Sequence, residues 1–189
     1  MKATDILMSE HQVILRMITA LEKATDLLED GRAVPPEIFI EASDFIKGFA
    51  DGCHHKKEEG VLFKAMGEHG MPASGGPVAV MLAEHEAGRA YTRAMRAAAQ
   101  KLAAGDESAA QEVIRNARGY AVLLTQHIAK ENQILFPMAD KIIPIARHAA
   151  VMDGFEHVEH EETGEGVHEK YLALVDRIEK EVSALAVIP

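Results

Sequence analysis

Two short stretches set a histidine four residues ahead of a glutamate: "HHKKEEGVLF", which begins at His54, and "HIAKENQILF", which begins at His127. On a helix, residues i and i+4 lie about 40° apart around the axis and one turn apart along it. An imidazole nitrogen and a carboxylate at that spacing can therefore converge on one point. Aligned against itself at an offset of 73 or 74 residues, the chain is internally duplicated. Leu62 and Phe63 match Leu135 and Phe136, which sets Glu58 opposite Glu131 and His54 opposite His127. "SEH" ending at His11 likewise meets "AEH" ending at His85.

Each half of the duplication thus offers one histidine from its first helix and an HxxxE pair from its second. Together they supply four neutral nitrogen donors and two carboxylates, a set that suits two metal ions. The glutamates are the natural bridges, because a carboxylate has two oxygens and an imidazole one free nitrogen. Taken singly, His11 or His85 reads as a satisfied core histidine, and each HxxxE reads as a solvated pair worth about 0.3 to 0.5 kcal/mol. Taken together, a buried layer of such groups makes sense chiefly as a site, since each unpaired buried charge costs several kcal/mol. His127 and Glu131 share the helix face of Leu123, Leu124, Ile134 and Leu135, which favours burial. His55 and Glu59 stand about 100° further round their helix and match Ile128 and Asn132. They are expected to turn aside from the metals and support the layer or a neighbouring helix. Cys53 is expected to be a small core residue.

The elements that must carry these groups are helices. Leu7, His11, Ile14, Leu15, Ile18 and Leu21 recur at helical spacing over residues 4–30, ended by Gly31. A second helix is expected from Pro36 to Glu68, weakened but not ended by Gly48, Gly52 and Gly60. A third runs from Pro77 to Ala104, and a fourth from about Asp106 to Ala139. On the fourth, Tyr120, Leu123, Leu124, His127, Glu131, Ile134, Leu135 and Met138 are expected on one face. The expected fold is all-α: an up-down-up-down four-helix bundle over residues 1–145 with an additional C-terminal helix. Residues 146–189 read as an acidic connector followed by that helix, packed on the bundle through Tyr171, Leu174 and Ile178. The connector, "MDGFEHVEHEETGEGVHE", reads as a solvated loop capping the bundle end. Its alternative is a second metal site built from His157, His160, His168 and nearby carboxylates.

Bulk properties narrow the function. A net charge of −10 and a pI near 5.4 argue against a nucleic-acid partner. No window is long and apolar enough for a membrane span, and the N-terminus lacks the order of a signal peptide, so a cytoplasmic location is expected. One cysteine excludes a disulfide framework or a thiolate-rich cluster. Metal chemistry must therefore use nitrogen and oxygen.

With the histidine of the first helix, "HHKKEEGVLF", "AEHE" and "HIAKENQILFPMAD" in this order, the sequence resembles the hemerythrin-like family, the HHE cation-binding domain, over about residues 5 to 145. Ferritin-like di-iron bundles space their pair as ExxH and fit poorly. The resemblance implies two non-haem iron ions with an oxo or hydroxo bridge, ligated by His11, His54, Glu58, His85, His127 and Glu131. It implies a small-molecule oxidant as partner: dioxygen, peroxide or nitric oxide. No protein partner is indicated. The family's oxygen carriers have a second histidine one turn after the one on helix three, where this chain has Arg89. The expectation is one nitrogen ligand fewer, an additional open position, and a more reactive centre than a carrier's, with peroxidase- or oxidase-like activity. Arg89 is expected either to pair with a bridging carboxylate or to lie solvated on the surface. Four histidines and two glutamates also resemble di-iron proteins that repair iron-sulfur clusters, but their cysteine-bearing N-terminal segment is lacking. An iron-handling, sensing or repair-type module without steady turnover is thus the alternative to an oxidant-reducing enzyme.

Overall fold

A computed structural model of the chain describes residues 2–164 and 166–187; Met1, Glu165, Ile188 and Pro189 lie outside the described residues. All regular structure among the described residues is helical. Helix α1 is Ala3–Glu29. Helix α2 runs without a break over residues 36–68. It starts as Pro36–Phe45, passes through π-helical stretches at Ile46–His55 and Glu58–Leu62, and ends as Phe63–Glu68. Helix α3 is Gly76–Ala103. Helix α4 opens with a 3₁₀ turn, Glu107–Ala109, continues as Ala110–Lys130, takes a π turn at Glu131–Leu135 and closes as Phe136–Ile142. Helix α5, Ile145–His157, runs into a π turn at Val158–Thr163, and α6 is Val167–Val187.

Pro36 and Pro77 occupy first turns, where a missing N–H costs nothing. Helix α1 ends on Gly31, whose φ of 76° lets Arg32 N–H donate back to the Leu27 carbonyl at 3.0 Å. That bond satisfies a carbonyl the helix would otherwise orphan. The same closure follows Gly70 and Gly105, so three tight turns fold the four long helices back on one another. Cross-links fix the directions. Thr4 bonds to Asp140, His11 to Asn132 and Arg118 to Asp26, so α1 and α4 run antiparallel. Arg89 meets Asp51 and Arg96 meets Asp44, so α2 and α3 do the same. The expected up-down-up-down bundle is what forms.

The core divides into two apolar clusters, one containing Ile14, Phe45, Phe49, Met95 and Leu124, the other Leu7, Leu62, Phe63, Met81, Leu135 and Phe136. Between them on every bundle helix stands a buried polar position: His11 on α1, His54 to Glu58 on α2, His85 on α3, His127 to Glu131 on α4. One polar layer therefore crosses an otherwise apolar interior.

The last two helices cover the α1–α2 face. The expected loop over 152–169 is mostly helix instead, because Val151, Phe155 and Val158 are spaced four and three apart and all bury. Tyr171, Val175, Ile178 and Val182 of α6 join the first cluster, and Leu174, expected with them, is only partly buried. Tyr171 lies so close to α2 that a Cβ at Gly48 would meet its hydroxyl at 1.7 Å, so only glycine allows this approach. Among the described residues, no helix is long and apolar enough to cross a membrane.

Candidate metal centre

The buried layer gathers its side chains into two groups of close donor atoms, His11–His54–Glu58–Glu131 and His55–Glu58–His85–His127, each within 4.8 Å. All six residues expected from the spacing lie in these groups. Glu58 Oε1 is 3.5 Å from His54 Nε2 and its Oε2 is 3.4 Å from His85 Nε2. Glu131 Oε2 is 3.2 Å from His11 Nε2 and its Oε1 is 3.2 Å from His127 Nε2. Each carboxylate thus directs one oxygen to the α1–α2 side and the other to the α3–α4 side.

Every imidazole is held from behind through Nδ1. His11 bonds to Asn132 Oδ1 at 2.8 Å, His54 to Glu10 at 2.9 Å, His85 to Glu59 at 2.7 Å and His127 to Glu84 at 2.9 Å. These partners accept, so Nδ1 carries the proton and each Nε2 presents a lone pair. The inward contacts are then acceptor against acceptor. His85 Nε2 and His127 Nε2 face each other at 3.1 Å, while His11 Nε2, His54 Nε2 and all four oxygens of Glu58 and Glu131 are buried with no hydrogen-bond donor among the described residues. Leaving so many buried acceptors unsatisfied is costly, and a cation among them removes the cost. The donor set therefore fits metal ions. It holds imidazole and carboxylate only, with Cys53 buried in the core as expected.

Electrostatics agree. Burial and then the neighbouring His11 depress His54 to about 4, and burial and then His85 hold His55 well below the usual histidine range. Burial and the facing Glu131 push Glu58 well above the ordinary carboxylate range. Burial acts the same way on Glu131, but the close approach of the His11 and His127 rings outweighs it and lowers that group well below normal. Two facing carboxylates without a cation cannot both ionise at ordinary pH.

His55 is the correction to the sequence reading. It is buried rather than turned aside, stacks on His85 with ring centroids 3.8 Å apart, and joins the second group of donors. Its Nδ1 lies 3.3 Å from Asp51, a looser hold than the others have. The cause is the π-helical stretch ending at His55, whose wider i→i+5 turn brings two successive residues to the interior. His55 thus brings an imidazole from α2 to the side of the layer where α3 has Arg89 in place of a second histidine. Arg89 pairs with Asp51, Glu59 and Glu86 and with neither Glu58 nor Glu131. Glu59 does turn aside, as expected. The π turn in α4 also sends Ile134 to solvent, against the expected inward face, while Glu131 and Leu135 stay buried.

Sequence reasoning also passed over the groups behind the ligands. Glu10 and Glu84 each precede a candidate histidine in the duplicated "EH", and Lys57 and Lys130 each follow one by three residues. In the structure these pairs match: Lys57 bonds to Glu10 and Lys130 to Glu84. The expected alternative site at the C-terminus does not assemble. His168 alone of its histidines approaches carboxylates, Glu159 and Glu10, and the ammonium of Lys57 already bonds to both, while His157 and His160 join no donor group among the described residues.

A cavity of about 350 Å³ between α2 and α3 reaches His55 and His85, with Arg89, Asp51 and Tyr120 in its wall. The Tyr120 hydroxyl is buried without a hydrogen-bond partner among the described residues.

Comparison with known proteins adds the following. Residues 2–139 match the family model described as the hemerythrin HHE cation binding domain. The chain is similar to the uncharacterized protein Rv1995 of Mycobacterium tuberculosis and the uncharacterized protein Mb2018 of Mycobacterium bovis. Each is 25% identical over 178 residues, covering 94% of this chain and 69% of the relative. That span necessarily includes most of the segment beyond residue 139. No solved structure matches.

Proposed function

Since the chain belongs to the hemerythrin HHE cation-binding domain family, we propose that it is a non-haem di-iron protein that binds or reduces a small oxidant: dioxygen, peroxide or nitric oxide. The observation that carries this reading is the pair of facing carboxylates, each with its two oxygens directed at histidines of different donor groups. His11 and His54 would hold one ion; His55, His85 and His127 the other; Glu58 and Glu131 would serve both. Bound iron would supply the electrons for reducing an oxidant.

The chain's own residues do the rest. The carboxylates and the amide behind each Nδ1 fix the tautomer and raise the basicity of Nε2. The two apolar clusters keep bulk water from the layer. The cavity beside His55 and His85 is wide enough for a small molecule, and Tyr120 has a hydroxyl proton to donate to one.

A second reading, stoichiometric binding in an iron-handling or sensing module, is favoured by His55. A fifth imidazole leaves fewer positions open than the six-residue set does, and steady turnover needs an open position. Mixing iron-loaded protein with peroxide separates the two: many equivalents consumed per chain support the enzyme, and one or fewer support the binding module. Failure to react with peroxide, dioxygen or nitric oxide at all contradicts both.

A further inference from the structure

The segment after residue 139 touches the metal centre through a buried lysine. Lys57 is fully buried, its Nζ 2.5 Å from Glu10 Oε1 and also bonded to Glu159 on the π turn that ends α5. Glu10 Oε2 in turn accepts from His54 Nδ1. The matching chain in the other half, Lys130–Glu84–His127, lacks the last link: Lys130 has a side chain 38% exposed, and no second carboxylate among the described residues reaches it. Thr163 donating to the Gly52 carbonyl at 3.2 Å, Glu162 beside Lys56 at 3.3 Å and His168 against Phe49 hold the same segment on the stretch of α2 that carries His54.

One ammonium shared by two carboxylates neutralises neither. With Glu159 taking part of the Lys57 charge, Glu10 keeps more of its own, and a more negative acceptor behind Nδ1 makes Nε2 a stronger donor to a cation. We propose that Glu159 is a positioning residue for the metal centre: it engages Lys57 so that Glu10 retains the charge that orients His54, and the C-terminal segment thereby sets how tightly the His11–His54 ion is held. This rests on the metal-centre reading above. It also gives the two otherwise matching halves unequal grip.

The test compares Glu159→Gln, which keeps an acceptor for Lys57 but removes the charge, with Glu159→Asp, which restores the charge, in the full chain. In metal-free protein, the downfield Nδ1–H proton resonance of His54 shifts toward a weaker hydrogen bond in Glu159→Gln and returns in Glu159→Asp, while that of His127 stays in place. In protein loaded with cobalt, chelator-driven release of one ion quickens about tenfold in Glu159→Gln, toward the low end of what outer partners of metal-bound histidines contribute, and the other ion is unaffected. A His54 signal unmoved in Glu159→Gln overturns the inference, as does equal quickening of both ions. Protein that takes up no paired metal contradicts the metal-centre reading instead, and the metal-free resonance still decides the role of Glu159. Glu10→Gln, which must move the His54 signal, serves as the positive control.

Discussion

Glu58 and Glu131 sit on π-helical turns of α2 and α4 and face each other across the bundle axis, each with one oxygen toward the α1–α2 histidines and one toward the α3–α4 histidines. A π turn is often kept where function needs it, despite poorer backbone geometry. The π stretch that precedes Glu58, Ile46–His55, brings two successive histidines inward where a regular helix face would carry one.

The first prediction concerns rank among the donors. Glu58→Ala and Glu131→Ala each remove an oxygen donor from both ions, so elemental analysis after dialysis should find no paired metal in either. His55→Ala removes one donor from one ion only. It should keep two ions per chain while weakening one by roughly tenfold, the scale seen when a site loses one supporting group. Equal loss in His55→Ala and Glu58→Ala would contradict the bridging role.

Metal removal should destabilise the fold. The acceptors left facing one another exist in the folded chain but not in the unfolded one, so metal binding is linked to folding. At a thousandfold excess over the dissociation constant the linkage is about 4 kcal/mol, which for a chain of this size is a shift on the order of 10 °C. Thermal unfolding before and after chelation measures it, and an unchanged midpoint counts against a core site.

How far could the sequence be read? The four bundle helices and the six donors follow from spacing and duplication, because apolar periodicity and i, i+4 pairing are local properties. His55 escapes a spacing argument because 100° per residue does not hold throughout α2, and a π stretch is set by packing that no single spacing reveals. The turn that exposes Ile134 has the same origin. Residues 152–169 read as a loop in the sequence because their acids and histidines mask the four-and-three spacing of Val151, Phe155 and Val158. Glu10 and Glu84, by contrast, are visible in the repeated "EH", but each stands behind a histidine of another helix, a pairing that adjacency in sequence does not reveal.

Acid should act on the metal-free protein through His54. Its folded pKa, about 4, lies below the ordinary value of 6.5, so folding favours the neutral ring. The stability this gives is fully present above about pH 6.5 and is lost as pH falls toward 4. Glu58, raised by burial, works in the opposite direction, so the comparison must isolate the histidine. Relative to His54→Gln, the metal-free wild type should lose melting temperature between pH 6.5 and 4. A difference independent of pH across that window would contradict the burial of a neutral His54.

Docking of α6 should depend on Gly48. A methyl group there collides with Tyr171, and overpacking of this kind costs about 1 to 3 kcal/mol. Gly48→Ala should lower the melting temperature by roughly 5 °C and speed proteolysis in the last helix. Adding Tyr171→Ala should recover part of the protection if collision is the cause, and no recovery would place the defect in α2 itself.

The central claim is that one chain holds two ions joined by Glu58 and Glu131. Titrating metal-free protein with ferrous iron under anaerobic conditions, and following both uptake and magnetic susceptibility, tests it most directly. About two ions per chain with coupled spins is the expected result. Uptake of one ion or none, or two ions with uncoupled spins, would contradict it.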